Sequence, residues 1–141
     1  MFHLIYTSAE TQEFSALNLK KLLINARLRN CEVSVTGMLL YHSGHFLQAL
    51  EGEEGAVRGI FKRIEKDERH GEIHMLRSLM SLGNRRLFGE WSMGFADVDG
   101  ASELLKGYID TDQVGSLATL EATGAFDLLQ TVGRNSFRKS A

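Results

Sequence analysis

Apolar and polar residues alternate along five segments of the chain, and two further segments repeat apolar residues at helical spacing. Because side chains of a strand point alternately to its two faces, the alternation predicts strands at 2–8, 33–41, 45–51, 73–79 and 91–98. Helical spacing predicts helices at 15–29, with Ser15 as N-cap, and at 53–66. The predicted order is βαββαββ, and the turn at 42–44 closes a hairpin between the second and third strands.

This order predicts an α+β fold, a ferredoxin-like five-stranded mixed sheet with two helices on one face. Beyond it, residues 101–132 carry two modest amphipathic helical patterns. Helices on one face leave the other face of a sheet open, so we expect this C-terminal part to cover it, in its own chain or across a dimer. The predicted units are a domain at 1–98 and a helical extension with its tail at 99–141.

One polar residue interrupts an apolar face of the third strand. Phe46, Gln48 and Leu50 share that face, and a buried amide costs about 1–3 kcal/mol for each hydrogen bond it fails to make. Two interpretations stay open from this pattern alone, a core glutamine bonded to backbone or a member of a polar site. Further polar, aromatic and sulfur-bearing residues are expected on the same side, namely Tyr6, Ser8, Asn30, Trp91 and Met93.

Composition restricts the class of protein. With 141 residues, 43% hydrophobic and 24% charged, the chain is long enough for one globular domain with a sizeable core. The net charge is −2 and the basic residues are scattered, which gives no electrostatic case for nucleic acid; the basic stretch at 134–139 is the one concentration. The single Cys31 excludes an internal disulfide, and no apolar stretch predicts a membrane span or signal peptide, so we expect a cytoplasmic protein.

No motif of a known catalytic or metal site is found in the sequence. It has no glycine-rich nucleotide loop, no paired cysteines and no nucleophile elbow. His42 and His45 flank the hairpin turn and could hold a metal across it, although exposed turn histidines are common and no ligand spacing is recognisable. For an enzyme on this scaffold, Tyr6 and His70 would be the candidate acids, but no base and nucleophile pair supports that alternative.

Five motifs follow one another along residues 1–98: Leu4-Ile5-Tyr6-Thr7-Ser8, Asn30 with Val35-Thr36-Gly37-Met38-Leu39-Leu40-Tyr41, Phe46-Leu47-Gln48-Ala49-Leu50-Glu51-Gly52, Asp67-Glu68-Arg69-His70, and Trp91-Ser92-Met93. Together they resemble the ordered motifs of BLUF domains, the flavin-binding blue-light sensors. The C-terminal extension is similar to that of short BLUF proteins that lack a fused effector domain.

The resemblance implies FAD between the two helices and a photocycle without net reaction, hence no enzyme. Tyr6 would give up an electron and a proton, and Gln48 would rotate or tautomerise, which shifts the flavin absorption to the red until dark recovery. Asn30 would bind the carbonyl–imide edge of the ring, or cap the first helix, or both. Arg69 and His70 would face the ribityl phosphate side, with ordinary surface charges as the alternative.

The resemblance leaves other roles open. Trp91 and Met93 alternate in the family in facing the flavin, and core packing is the alternative for both. Ser8 is a secondary candidate that tunes the network of Tyr6 and Gln48. Arg29 stands where some relatives have a second amide.

We expect the chain to self-associate and to signal to an unidentified effector protein through contacts of its C-terminal helices. A purely structural interaction domain, in which the buried amides only satisfy backbone groups, is the remaining alternative.

Overall fold

The computed structural model describes residues 1–89, 93–97 and 124–131. The predicted order of elements is confirmed. The strands are β1 (Phe2–Glu10), β2 (Thr36–His42), β3 (His45–Gly52), β4 (His70–Met80) and β5 (Gly94–Asp97), and the helices are α1 (Ala16–Glu32) and α2 (Glu54–Glu65). Residues 124–131 form a further helical segment. Within these described ranges, no helix has both the length and the apolar character needed to cross a membrane.

The five strands form one mixed sheet in the order β4-β1-β3-β2-β5. β1 is antiparallel to β3 and β4, β2 is antiparallel to β3, and β5 is parallel to β2. It follows that β1 and β2 run parallel on either side of β3, and that β3 and β4 run parallel on either side of β1. Each parallel pair is joined by one helix, which makes two interlocked split βαβ units and places α1 and α2 on the same face.

The core lies on both faces of this sheet, and the predicted alternation is confirmed. The helix-covered face buries Leu4, Tyr6, Phe46 and Leu50 of the strands against the apolar sides of α1 and α2. The apolar residues that recur at helical spacing in the two helices lie in this layer: Leu19, Leu22, Leu23 and Ala26 of α1, and Val57, Ile60, Phe61 and Ile64 of α2.

The opposite face of the sheet is covered by the chain's own helical segment 124–131. Leu128 and Leu129 of this segment are fully buried against strand residues that include Leu40 and Leu47. The expectation that the C-terminal part covers this face is therefore confirmed for residues 124–131, and of the two alternatives it is the same chain that supplies them. The other predicted helix of the extension lies outside the described residues.

Several boundaries differ from the sequence prediction. α1 ends at Glu32, not at Arg29, because no helix-breaking residue follows Arg29 and the turn comes only at Ser34, whose φ is 56°. β2 accordingly begins at Thr36, and β4 begins at His70, three residues early. The hairpin turn is a two-residue turn with positive φ at both central residues, 43 and 44, which matches the right-handed twist of the strands.

A buried carboxylate holds the connection between β4 and β5 against the sheet. Glu51 of β3 is 1% exposed, and its oxygens accept hydrogen bonds from the backbone N–H groups of Leu87 (2.9 Å) and Phe88 (2.6 Å) and from Thr36 Oγ1 (2.9 Å). Charge-assisted bonds of this kind offset the cost of burying the carboxylate. Glu51 thereby fixes the path of the chain on its way to Met93 and β5.

Candidate functional site

A cleft opens between α1, α2 and the helix-covered face of the sheet. It contains about 600 Å³ of empty space, including its open mouth. Its walls combine aromatic, amide and cationic side chains. They include Tyr6 and Ser8 from β1, Phe46 and Gln48 from β3, Asn25, Ala26 and Arg29 from α1, Arg63 and Ile64 from α2, and Asp67, Arg69 and His70 from the segment that leads into β4.

Tyr6 and Gln48 form a hydrogen-bonded pair in the wall of this cleft. They face each other in the antiparallel register of β1 and β3, and only 3% and 4% of their surfaces are exposed. The Tyr6 hydroxyl donates a hydrogen bond to Gln48 Oε1. Burial raises the pKa of Tyr6 well above its ordinary value, although the nearby Arg29 charge lowers it. The phenol therefore keeps its proton at neutral pH and acts as a donor.

The other end of the Gln48 amide is bound by a methionine. Gln48 Nε2 donates to Met93 Sδ at 3.3 Å, and Met93 is 1% exposed. A thioether is a weak acceptor, so the amide is held firmly at its oxygen and weakly at its nitrogen. Of the pair Trp91 and Met93, Met93 is the one that the structure places beside Gln48; Trp91 lies outside the described residues.

Met93 connects this pair to two other elements. It directly precedes β5, which extends the sheet next to β2, and its backbone carbonyl oxygen accepts a hydrogen bond of 2.9 Å from Arg27 Nε of α1. Met93 thus links the Gln48 amide to both the edge strand β5 and the helix α1.

Ser8 and His70 bind each other rather than the Tyr6–Gln48 pair. Ser8 Oγ lies 2.8 Å from His70 Nδ1, and His70 Nε2 lies 2.6 Å from the carbonyl oxygen of Ile64. Because a carbonyl oxygen can only accept, Nε2 carries the proton, and in the neutral ring Nδ1 accepts from the Ser8 hydroxyl. The two residues line the cleft and tie β4 to β1 and to the end of α2.

Arg69 lies at the mouth of the cleft and forms a bidentate ion pair with Asp67. Arg69 Nε is 2.9 and 3.0 Å from the two Asp67 oxygens, and Nη2 is 2.5 Å from Oδ2. The hydrogen bonds from Arg69 lower the pKa of Asp67, and those to Asp67 raise the pKa of Arg69. The predicted pair Arg69 and His70 therefore lines the cleft, with the side chains already bound to protein groups.

Asn30 is fully buried in the last turn of α1, but it does not line the cleft. Its backbone carbonyl oxygen accepts hydrogen bonds from the backbone N–H groups of Val33 (3.2 Å) and Val35 (2.9 Å). The C-cap residue of α1 is Val33, so the alternative of Asn30 as C-cap is wrong. Its role as a ligand of the ring edge stays a prediction.

Sequence reasoning missed Asn25 of α1 as a cleft residue, and it named Arg29 only as standing where some relatives have a second amide. Both lie on the same helix face as Leu22, since Leu22, Asn25 and Arg29 are spaced i, i+3 and i+7. Following the helical period past the apolar residues would have found them.

The hairpin histidines do not form a metal site within the described ranges. His42 is buried, contrary to the expectation of an exposed turn histidine, and His45 Nδ1 lies 3.1 Å from the Ser43 carbonyl oxygen. In the described part of the chain, no three His, Cys, Asp or Glu side chains are grouped so that they could hold a metal ion.

The family follows from comparison with known proteins. The family model described as "Sensors of blue-light using FAD", BLUF, matches residues 1–94, which is 94 of the 141 residues. The chain belongs to the BLUF family. It is thus a flavin-binding domain that senses blue light, as its motifs indicated.

Curated relatives of this BLUF chain are larger proteins. The photoactivated adenylate cyclase subunit beta of Euglena gracilis is 36% identical over 90 residues, which cover 64% of this chain and 10% of that protein. The blue light- and temperature-regulated antirepressor BluF of Escherichia coli (strain K12) is 35% identical over 95 residues, or 67% of this chain and 23% of the relative. The chain spans about a tenth of the length of the cyclase subunits that it matches.

A solved structure agrees in fold over almost the whole length. The dark-state structure of BlrB, a BLUF protein, has a TM-score of 0.79 and covers 96% of both chains at 24% identity. At this identity the likeness supports the α+β architecture of the sheet and its helices.

Proposed function

We propose that this BLUF chain binds FAD in the cleft between α1 and α2 and reports light through the Tyr6–Gln48 pair. The residues of the cleft fit a flavin ring system. Gln48 offers an amide and Arg29 a guanidinium, and Arg29 Nε is buried without a hydrogen-bond partner in the described part of the chain. A buried donor of this kind is satisfied by an acceptor on a ligand. Arg69 and His70 would lie toward the phosphates. For Asn30 to bind the ring edge, its side chain would have to turn into the cleft, which it does not line in this structure.

Bound FAD supplies absorption of blue light and a ring system that accepts an electron when excited. Tyr6 holds its proton in the bond to Gln48 Oε1, so a proton leaving the phenol has the amide as its acceptor. Gln48 presents an acceptor at one end and a donor at the other in nearly equal volumes. Among the described residues, turning the amide requires breaking the Tyr6 bond and the weak bond to Met93 Sδ.

The output of this switch would run through Met93. When the Gln48 nitrogen leaves Met93 Sδ, the packing of Met93 changes, and with it the start of β5 and the bond from Arg27. We propose that this change reaches the part of the chain beyond β5 and a partner protein, and that the chain itself catalyses no net reaction.

We further propose that the chain works in the cytoplasm, associates with itself and acts on an effector protein rather than on nucleic acid or a membrane. Leu17, Ile24 and Leu28 are exposed on α1, which gives the chain apolar surface for such contacts. The net charge of −2 supplies no attraction for nucleic acid.

The absorption spectrum before and after blue light tests this proposal. We expect the purified protein to be yellow and to show a red shift of the flavin bands that reverses in the dark. Tyr6→Phe removes the donor hydroxyl and should retain FAD while losing the shift. Tyr41→Phe is the matched control, because it removes the hydroxyl that donates to Glu10 at 2.7 Å on the same face of the sheet, and it should cycle normally. A colourless protein, or a flavin spectrum that light leaves unchanged, would contradict the proposal.

A further inference from the structure

Glu51 is a buried carboxylate that does not line the cleft. It alternates with Gln48 and Leu50 along β3, so it shares the face of Ala49, which packs with segment 124–131. In the described part of the chain no lysine or arginine forms an ion pair with its oxygens, and His3 Nδ1 lies 3.5 Å from Oε2. The cost of burying this charge is therefore offset by hydrogen-bond donors.

Both oxygens of Glu51 are needed to hold the chain that follows β4. Oε2 accepts from the N–H group of Leu87 at 2.9 Å, and Oε1 accepts from that of Phe88 at 2.6 Å. A glutamine at this position would offer an oxygen to one of these N–H groups and an NH₂ group to the other, and two donors form no hydrogen bond. Two consecutive peptide groups are thus bound in a way that only a carboxylate allows.

These anchored peptide groups lie close to Met93 along the chain. Phe88 precedes Met93 by five residues, which span at most about 18 Å. Arg86 adds a second anchor just before them, because its Nη2 donates to the Ser34 carbonyl oxygen at 2.7 Å. The position of Met93 therefore depends on how the segment at 86–88 is held, as well as on the bond from Arg27 to its carbonyl oxygen.

We propose that Glu51 is a positioning residue of the light switch. By holding the peptide groups of Leu87 and Phe88, it keeps Met93 Sδ within reach of Gln48 Nε2, and so it sets how fast the illuminated protein returns to its dark state. The effect on recovery rests on the proposed function, whereas the placing of Met93 is a property of the protein in the dark.

Glu51→Gln should slow the recovery. Under the proposed function the Gln48 nitrogen leaves Met93 Sδ in the light and returns to it in the dark, so a Met93 that is held less firmly stabilises the returning amide less. We expect the variant to retain FAD and its flavin bands to recover about threefold more slowly or slower still, which is the scale of one weak hydrogen bond. Absorption followed after a pulse of blue light measures the rate. Recovery at the wild-type rate, or faster, overturns the inference.

Glu10→Gln is the matched control. Its carboxylate also accepts from a backbone N–H group, that of Phe14 at 3.0 Å, and from the Tyr41 hydroxyl at 2.7 Å, but it holds the connection between β1 and α1. This variant should recover at the wild-type rate. Equal slowing in both variants would mean that losing any such carboxylate suffices, and would overturn the role of Glu51.

The route through Met93 is tested by a double-mutant cycle. Met93→Leu keeps an apolar side chain of similar volume but removes the sulfur acceptor. If Glu51 acts by placing this sulfur, Glu51→Gln should no longer slow recovery in the Met93→Leu background. Slowing by the same or a larger factor in both backgrounds overturns the inference.

The methyl signal of Met93 reports its placing without light. In protein labelled with ¹³C at the methionine methyl groups, this signal is the one missing from the NMR spectrum of Met93→Leu. It should move in Glu51→Gln and stay in place in Glu10→Gln. If Glu51→Gln fails to fold, Glu51→Asp, which keeps both oxygens but draws them back by one methylene group, should move it instead.

The two readouts separate this role from the proposed function. A wild-type protein whose flavin bands shift with light, together with an unchanged Met93 signal in the Glu51 variant, rejects the role of Glu51 and leaves the proposed function standing. A Met93 signal that moves in a protein whose spectrum light leaves unchanged rejects the proposed function and supports the placing of Met93 by Glu51.

Discussion

The Tyr6 hydroxyl is kept protonated and is oriented by its surroundings. Burial favours the neutral phenol, and the Gln48 oxygen accepts its hydrogen bond inside the core. Gln48 is in turn held at its nitrogen only by the Met93 sulfur. Three side chains from β1, β3 and the start of β5 thus form one buried chain of hydrogen bonds whose weakest member is the thioether.

Gln48→Ala tests this arrangement at the scale of one residue. The variant should retain FAD and lose the red shift, and the Tyr6 hydroxyl left without its acceptor should lower the free energy of unfolding by about 1–3 kcal/mol. Light-minus-dark spectra and urea denaturation measure the two effects. Gln12→Ala deletes the same side chain at an exposed position and should change neither. Normal cycling in Gln48→Ala would mean that the switch has been assigned to the wrong residue.

At the scale of elements, the period of two predicted which strand residues face the helices, and Leu4, Tyr6, Phe46 and Leu50 confirm it. Local pattern could not predict interactions that join distant parts of the chain. The buried Glu51 carboxylate is stabilised by backbone N–H groups that lie 36 and 37 residues later in the chain, and no residue near Glu51 in the sequence indicates these donors. The position of Arg29 in the cleft depends likewise on how α1 packs over the sheet.

The lowered pKa of Asp67, in the turn between α2 and β4, predicts how the stability of the protein depends on pH. Hydrogen bonds from Arg69 lower the pKa of Asp67 from its ordinary value of 3.8. The ionised carboxylate therefore stabilises the folded protein at pH values above 3.8, and this stabilisation is lost as the pH falls through the lowered pKa of the folded state. The wild type should therefore melt at a higher temperature than Asp67→Asn near about pH 6, and the difference should shrink below about pH 4. Glu65→Gln, an exposed change at the end of α2, serves as control. A difference that grows toward low pH would contradict the assignment.

At the scale of the whole molecule, the sheet separates two apolar layers that belong to one core. The element order and the covering of the second face were predictable, because a one-sided sheet needs a second layer. The sequence did not determine whether this layer would come from the same chain or from a partner, since apolar helix faces suit both. In the structure, segment 124–131 supplies it.

Leu128→Ala measures how strongly this segment stabilises the domain. Leu128 is fully buried, and its loss should reduce the free energy of unfolding by about 2–5 kcal/mol while FAD remains bound on the other face. The neighbouring Asp127 is exposed, so Asp127→Ala should have little effect. Chemical denaturation followed by tryptophan and flavin signals compares the two variants. Equal stability of Leu128→Ala and wild type would show that the segment does not contribute to the fold in solution.

The strand that carries Gln48 also forms the boundary between these layers. Gln48 faces the cleft, while its neighbours Leu47 and Ala49 point the other way and pack in the layer of segment 124–131. The two environments are therefore separated by the thickness of a single peptide backbone. A shift of the β3 backbone at Gln48 would therefore act on both layers at once, because the residue in the cleft wall and the two residues that pack with segment 124–131 are consecutive in the chain.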